Sequence, residues 1–233
     1  MLDLLKQQVC QANLDLQRSG LVILTWGNVS GRDPDTGLVA IKPSGVSYAT
    51  MRPEHMVVVD LAGSVVEGKL RPSSDTPTHL ELYRSFPGIG GIAHTHSLHA
   101  TAWAQAKRAL PCYGTTHADN FRGTVPVTES MSEEAVAGDY ELQTGKYIVR
   151  AFRNVQPLEV PAVLVAGHGP FTWGKTPADA VENSIVLEQV AQMALMAEGL
   201  APGLAAIDVH LQDRHFLRKH GSGAYYGQET HEG

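Results

Sequence analysis

Two histidines lie two positions apart, His94 and His96, and follow directly on the apolar run GIGGIA. In a strand, side chains at i and i+2 point to the same face, so the two imidazoles would lie side by side. Neutral imidazole is a ligand for zinc, iron, nickel and copper. A catalytic metal site commonly has three protein ligands and an open position, and His168, flanked by Gly167 and Gly169, is the third ligand that we predict.

Each of these histidines also has an ordinary structural interpretation. The chain has 11 histidines, so an accidental His-X-His is not rare, and a histidine in a turn can simply face solvent. The pair is favoured as functional because it ends a strand and precedes a helix cap. The segment HTHSLH also resembles the His-X-His-X-Asp-His signature of binuclear metallohydrolases, but Leu98 occupies the position of the acid, which disfavours a second metal.

Three short segments have the composition of anion-binding turns: Gly27-Asn28, Lys42-Pro43-Ser44-Gly45 and Ser73-Ser74. Small residues expose backbone N–H groups, hydroxyls donate hydrogen bonds, and Lys42 supplies positive charge. Each segment alone is an ordinary turn, whereas all three beside a metal triad predict a small phosphorylated substrate. Asp75, next in the chain, is either a helix cap, a fourth metal ligand or a proton carrier.

The strands that would hold these residues follow from apolar runs and turn signals. We expect a buried strand over 21–30, a hairpin turn at 33–37 with a return strand over 38–45, and a second hairpin over 56–68. Further strands are expected at 88–96 and on either side of the Gly-His-Gly turn in 161–174. These hairpins favour a largely antiparallel sheet, and no GxGxxG motif follows a strand to indicate a Rossmann fold.

Helices are predicted between and around these strands. Apolar residues recur at helical spacing from Leu2 to Leu16, and Thr76-Pro77 and Thr176-Pro177 each place a cap before a proline at the first helical position. Ser97 is expected to cap a further helix. The combination predicts a single α/β domain whose sheet is covered by helices.

The composition excludes several classes of protein. Among 233 residues the net charge is −6 and no basic block occurs, which argues against nucleic-acid binding. Two widely separated cysteines, Cys10 and Cys112, cannot build a disulfide framework or a cysteine zinc site, and indicate a reducing, cytoplasmic compartment. The amino-terminal residues lack a signal-peptide pattern, and no apolar run approaches the roughly 18 residues of a membrane span.

Seven segments together are similar to the class II aldolase/epimerase family, in its epimerase branch: TWGNVSGR, IKPSGV, RPSSDTPTH, GIAHTHSLHATAWAQA, TTHAD, GHGPFTWG and LRKHGSGAYYGQ. The resemblance covers residues 1–228 and leaves 229–233, ETHEG, as a carboxy-terminal extension. It implies one three-layer α/β/α domain, a bound zinc or another divalent ion such as Mn²⁺ or Co²⁺, and a homotetramer with active sites between subunits.

The resemblance also implies roles for individual residues. Its metal ligands correspond to His94, His96 and His168, with Asp75 as the acid beside the metal. Its phosphate-binding residues correspond to Asn28, Lys42, Ser44, Gly45, Ser73 and Ser74. Its catalytic pair corresponds to Asp119 and Tyr226. Residues that approach the site, several of them from a neighbouring subunit, correspond to Thr115, Glu141, His215 and Arg218.

The activity that the resemblance implies is the interconversion of L-ribulose 5-phosphate and D-xylulose 5-phosphate. The C4 hydrogen is not acidic, because the carbonyl is at C2, so inversion requires cleavage and re-formation of the C3–C4 bond. Two alternatives remain open: an aldolase of the same family that releases the aldehyde, and a non-catalytic scaffold domain like the adducin head. The TTHAD segment, the paired tyrosines and Asp75 in place of Glu favour the epimerase, and the complete histidine triad disfavours the scaffold.

Overall fold

The computed structural model describes residues 2–221 and 223–226. Over these residues one seven-stranded sheet has the order β4-β3-β2-β1-β5-β7-β6, and every neighbouring pair is antiparallel. The strands are β1 (Asn28–Arg32), β2 (Val39–Ile41), β3 (Val57–Val59), β4 (Val65–Glu67), β5 (Gly91–His94), β6 (Ala162–Leu164) and β7 (Pro170–Gly174). The predicted antiparallel sheet is confirmed, whereas Gln228 and the predicted extension at 229–233 lie outside the described residues.

Eight α-helices occur in this described part of the chain. They are α1 (Leu2–Arg18), α2 (Thr76–Ser85), α3 (Leu98–Gln105), α4 (Thr115–Ala118), α5 (Glu133–Ala137), α6 (Tyr140–Ala151), α7 (Pro177–Leu200) and α8 (Val209–His220). None of them is long and apolar enough to cross a membrane.

Helices cover both faces of the sheet, because side chains along each strand alternate between two buried clusters. Val39, Val59 and Ile92 face one cluster together with residues of α2 such as Leu80. The intervening positions on the strands, such as Val58 and Ala93, face the opposite side, where α1 and the start of α7 pack. This gives the predicted three-layer α/β/α arrangement, with a core on each side of the sheet.

The residues of chemical interest lie where several elements end together. Asn28 begins β1 and is directly opposite His94, the last residue of β5. Asp75 is the N-cap of α2, and His168 lies in the turn between β6 and β7. Segments that are far apart in the chain therefore meet at one place in the fold.

The strand predicted over 21–30 is wrong in its first part, since β1 begins only at Asn28. Leu24 has a left-handed backbone, with φ of 56°, and Gly27 has φ of 72°; neither fits an extended strand. Leu24 is 75% exposed and Trp26 is 50% exposed, so the middle of the apolar run stays outside the core, whereas Leu21 and Val22 pack against it. Tyr48 fixes this loop instead, because its hydroxyl donates to the carbonyls of Trp26 and Gly27 at 2.9 and 3.0 Å.

The two helix caps predicted beside prolines have different outcomes. Thr176 caps α7 in a reciprocal capping box with Asp179, as predicted. At α2 the N-cap is Asp75, one residue before the predicted Thr76, and its side chain makes no capping hydrogen bond. The carboxylate of Asp75 is turned to a different partner, which belongs to the site described next.

Candidate metal centre and substrate pocket

The three predicted metal ligands come together in the structure. Each of His94, His96 and His168 offers a nitrogen, and these nitrogens lie within 4.8 Å of one another. The Nε2 atoms of His94 and His96 are 3.1 Å apart. Around a tetrahedral zinc with Zn–N bonds of about 2.0–2.1 Å, ligand nitrogens lie about 3.3 Å apart, so the donor set and its spacing fit one divalent ion.

Neighbouring groups orient His94, and burial keeps His96 and His168 neutral. His94 Nδ1 lies 2.9 Å from the carbonyl oxygen of Pro170; it donates to this oxygen and thereby leaves Nε2 free to bind a metal. The His94 ring also stacks on Phe171, with 4.1 Å between ring centroids. Burial, with the nearby His94 and His96, lowers the pKa of His168 to about 4, and burial likewise lowers the pKa of His96. Neutral imidazole is the form that binds metal.

Of the two glycines beside His168, Gly169 has the close contact that the sequence suggested. A Cβ on Gly169 would lie 2.8 Å from the carbonyl oxygen of Thr95, between the two other ligands. Gly167 has φ of 74°, which other residues rarely adopt. The turn can thus bring His168 against the end of β5 only because these positions are glycine.

Asp75 lies beside the histidines as an anion. It accepts a hydrogen bond of 2.6 Å from Asn28 Nδ2 to its Oδ2. Burial raises its pKa, but the nearby His94 and His79 and the hydrogen bond from Asn28 outweigh this, so that the pKa is below its usual value. Of the three alternatives for Asp75, a capping side chain is excluded, because the carboxylate accepts from Asn28 and makes no capping hydrogen bond.

One cavity of about 570 Å³ contains the metal centre. Every residue predicted to bind phosphate lines it, as do Asp75 and Glu141. Three lining residues had no predicted role: Thr25, Trp26 and Tyr140. Thr25 and Trp26 belong to the TWGNVS segment, whose apolar composition we interpreted as a strand, whereas nothing in the sequence pointed to Tyr140. The Tyr140 hydroxyl lies 3.4 Å from His168 Nδ1.

The two serine-containing turns of the cavity are joined through their backbones. Ser44 N donates to the carbonyl oxygen of Arg71, and Ser73 N donates to that of Lys42, both at 3.0 Å. Gly45 has φ of 70° with open space around it. The turns therefore form one concave surface of small residues at the cavity wall, which suits an anion.

Lys42 is the cation beneath this surface. Only 2% of the residue is exposed, its ammonium group donates to the carbonyl oxygen of Thr25 at 3.2 Å, and it lies 4.9 Å from the ring centre of Tyr48. Burial lowers the pKa of Lys42 to about 8, although the nearby Asp75 raises it. A buried cation with this environment gains much from a bound anion.

A second group of predicted site residues, which we call the distal cluster, lies elsewhere: Asp119, His215, Arg218 and Tyr226. Asp119 accepts hydrogen bonds from Arg218 Nε at 2.9 Å, Arg218 Nη2 at 2.5 Å and His215 Nδ1 at 3.0 Å. The Arg218 guanidinium lies 4.9 Å from the ring centre of Tyr226. Among the residues that the structure describes, no member of this cluster lines the cavity, and neither does Thr115.

Glu141 is one of the four residues expected to approach the site, several of them from a neighbouring subunit. It lies in the first turn of α6 and lines the cavity of its own chain. Its backbone carbonyl accepts a hydrogen bond of 2.6 Å from the Thr78 hydroxyl of α2. The packing of α6 on α2 thus places Glu141 at the site without a second subunit.

The chain is similar to several known proteins. L-ribulose-5-phosphate 4-epimerase UlaF of Salmonella typhi is 59% identical over 225 residues, which cover 97% of this chain and 99% of the relative. The same protein of Salmonella paratyphi A gives the same values. A solved L-fuculose 1-phosphate aldolase is 26% identical, with a TM-score of 0.74 and coverage of 91% of this chain and 93% of the other. An aldolase II superfamily protein from Pseudomonas syringae shares the fold at 15% identity and a TM-score of 0.73, over 95% of this chain and 86% of its own.

The family model that matches the chain is described as the class II aldolase and adducin N-terminal domain, and it spans residues 7–195. That range contains the whole sheet, the three histidines and every residue that lines the cavity. The chain belongs to the class II aldolase and adducin N-terminal domain family.

Proposed function

We propose that this chain is an L-ribulose-5-phosphate 4-epimerase, which interconverts L-ribulose 5-phosphate and D-xylulose 5-phosphate. One observation carries the proposal: a histidine triad and an anion-binding surface with a buried lysine line the same cavity of about 570 Å³. A phosphorylated pentulose presents a metal-binding ketol at one end and a phosphate at the other. The identity of 59% to curated epimerases, over nearly the full length of both chains, supports this substrate.

In this mechanism the C3–C4 bond breaks and re-forms on the other face of the aldehyde. His94, His96 and His168 would hold a zinc or another divalent ion, which would supply Lewis-acid stabilisation of the negative charge that develops on cleavage. Asn28 holds Asp75 as an anion beside that centre. Lys42 and the turns containing Ser44 and Ser74 retain the phosphate while the aldehyde rotates.

Proton transfer at the C4 oxygen is assigned to Asp119 and Tyr226, one for each face of the aldehyde. Since neither residue lines the cavity of its own chain, we propose that a neighbouring subunit brings the distal cluster to the site. The hydrogen bonds from Arg218 and His215 to Asp119 hold the distal cluster together within one subunit, so that this subunit presents the cluster to its neighbour's cavity already assembled.

Incubation with L-ribulose 5-phosphate, with and without a chelator, tests the function. We expect D-xylulose 5-phosphate to form in a reaction that the chelator abolishes. Accumulation of dihydroxyacetone and glycolaldehyde phosphate in its place would indicate the aldolase alternative. Absence of any conversion by the metal-loaded protein would favour the scaffold alternative.

Replacing Lys42 by Met should raise KM for the phosphorylated substrate about 10- to 100-fold. Hydrogen bonds to charged groups contribute about 1.5–3 kcal/mol, and about 1.4 kcal/mol corresponds to a factor of ten. Steady-state kinetics measures the change, with Lys69→Met as the control, because Lys69 is exposed and does not line the cavity. An unchanged KM would remove Lys42 from the phosphate site.

The lowered pKa of Lys42 also predicts a pH dependence. Because that pKa is about 8, the ammonium form is complete well below pH 8 and is lost as the pH rises through this value. The KM of the wild-type protein should therefore rise above pH 8. The Lys42→Met variant should lack this rise, and an equal rise in both proteins would assign it to another group.

We propose a homotetramer with active sites between subunits. The separation of the distal cluster from the cavity supports this, as do exposed apolar side chains on α7 such as Met193, Met196 and Leu200.

Sedimentation analysis, with an activity assay of each fraction, should find no active monomer. Co-assembly of His96→Asn and Asp119→Asn subunits should restore activity that neither variant has alone, since mixed assemblies contain sites with both residues intact. A fully active monomer, or mixed assemblies without activity, would contradict the arrangement.

We also propose a cytoplasmic location. Both cysteines, Cys10 and Cys112, are buried and free, which fits a reducing compartment. Cell fractionation that recovered the protein outside the cytoplasm would contradict this.

A further inference from the structure

Two side-chain pairs connect β1 to α2 directly beneath the metal centre. Asn28 and Ser30 are two positions apart on β1 and point to the same face, about 6.7 Å apart at a rise of 3.3–3.4 Å per residue. Asp75 and His79 are one helical turn apart, and His79 N donates to the Asp75 carbonyl oxygen. Asn28 bonds to Asp75 at 2.6 Å, and the Ser30 hydroxyl bonds to His79 Nδ1 at 2.7 Å. The two pairs are therefore stacked, with the His79 ring next to the carboxylate.

This arrangement leaves two buried polar atoms without a partner among the described residues: His79 Nε2 and Asn28 Oδ1. His79 is 0% exposed and Asn28 is 3% exposed. Since Asn28 uses its Nδ2 to donate to a carboxylate, its free atom is an acceptor. Burial lowers the pKa of His79, whereas the nearby Asp75 carboxylate raises it, so an acceptor lies close to the His79 ring.

Tyr83, Ser30 and His79 form a series of hydrogen bonds. The Tyr83 hydroxyl, at the far end from Asp75, determines which group donates in each bond. The Tyr83 hydroxyl, in a residue that is 2% exposed, has Ser30 Oγ at 2.9 Å as its one partner among the described residues. If Tyr83 accepted from Ser30, its own buried hydrogen would be unpaired, at a cost of about 1–3 kcal/mol. Tyr83 therefore donates to Ser30, Ser30 donates to His79 Nδ1, and the ring proton lies on Nε2. The Tyr83 end of the series thus fixes the tautomer, and the Asp75 carboxylate near the ring is an acceptor that suits it.

We infer that His79 is a positioning residue for Asp75, which it holds through an Nε2–H donor and one buried water shared with Asn28 Oδ1. Asn28 and His79 then hold the carboxylate from two sides, one from the strand and one from its own helix. Asp75 can neither rotate away from the metal centre nor turn back to cap α2. The importance of this contact for turnover rests on the proposed epimerase function, whereas the tautomer does not.

The tautomer is tested on the full-length wild-type protein without substrate. Selective ¹⁵N labelling of histidine and long-range ¹H–¹⁵N correlation spectra show which ring nitrogen carries the proton, and His79→Gln assigns the resonance. We expect protonated Nε2 and unprotonated Nδ1. A proton on Nδ1 would overturn the inference, whether or not the protein proves to be an epimerase.

Two substitutions of His79 separate its two hydrogen bonds. His79→Asn keeps a polar atom near the Nδ1 position, facing Ser30, but removes the group at Nε2. His79→Gln reaches the Nε2 position with an amide that donates. We expect His79→Asn to lower kcat about 10- to 100-fold, the loss typical of residues that orient a metal site from outside it, with KM changed less than about threefold. His79→Gln should recover most of that loss. Equal losses in both variants, or none in either, would overturn the assignment.

Discussion

His96→Asn should remove the bound metal and lower epimerase activity by about 100- to 10,000-fold. The metal contributes several kcal/mol to stabilising the charge that develops in the reaction, and each 1.36 kcal/mol is a factor of ten in rate. His96 is the most accessible of the three histidines, whereas His94 is buried in the end of β5. Its replacement therefore tests the metal centre with the least disturbance of the core.

Metal analysis and kinetics of the same preparations check this result. Wild-type protein should hold about one divalent ion per chain, and the variant should hold far less. His210→Asn is the matched control, since His210 is exposed and does not line the cavity. Equal metal contents in wild type and His96→Asn would remove His96 from the ligand set.

Asp119→Asn and Tyr226→Phe should each lower epimerisation by the roughly 100- to 10,000-fold typical of a missing general acid or base. Cleavage of one epimer requires a proton carrier on one side of C4, whereas epimerisation requires one on each side. Neither residue lines the cavity, so the metal and phosphate sites should persist. Both variants should thus retain some condensation of dihydroxyacetone with glycolaldehyde phosphate, with an altered preference at C4.

Neighbouring residues provide the controls for the Asp119→Asn and Tyr226→Phe variants. Tyr225 is next to Tyr226, and the two are 68% and 60% exposed, so Tyr225→Phe tests whether the choice of tyrosine matters. Asp119→Asn also weakens the bonds from Arg218 and His215, and thermal unfolding should accompany its kinetics. If both Asp119→Asn and Tyr226→Phe epimerise at the wild-type rate, the mechanism in which these two residues act on opposite faces of the aldehyde is excluded for this protein.

The metal ligands could be predicted because their constraint is local. The period of two along a strand puts His94 and His96 on one side, and glycines around His168 indicate a close approach of backbones. The loop at 21–27 could not be predicted in the same way. Its apolar residues have the composition of a strand, and the left-handed backbone at Leu24 is set by contacts such as those of Tyr48 with the Trp26 and Gly27 carbonyls.

Two helices near the site, α6 and α8, were not predicted from the sequence. α8 has a single buried residue, Phe216, and other apolar residues such as Val209 and Leu217 are exposed, so its apolar residues do not show which surface it packs on. α6 packs on α2 through Gly145, where a Cβ would lie 2.7 Å from Glu81 Cβ. Close approach at a glycine leaves little trace in a hydrophobic pattern. For this reason the positions of Tyr140 and Glu141 at the cavity, and of the distal cluster on α8, could not be derived from periodicity.

The same loop at 21–27 gives the cavity an optical reporter. Of the three tryptophans, Trp103 and Trp173 are 4% and 0% exposed, and their indole nitrogens donate to backbone carbonyls. Trp26 alone is half-exposed at the cavity wall, with its ring centroid 6.2 Å from that of His96. Changes in the polarity or electronic environment of the cavity therefore act on one emitting side chain, and occupancy of the site can be followed by intrinsic fluorescence without a label.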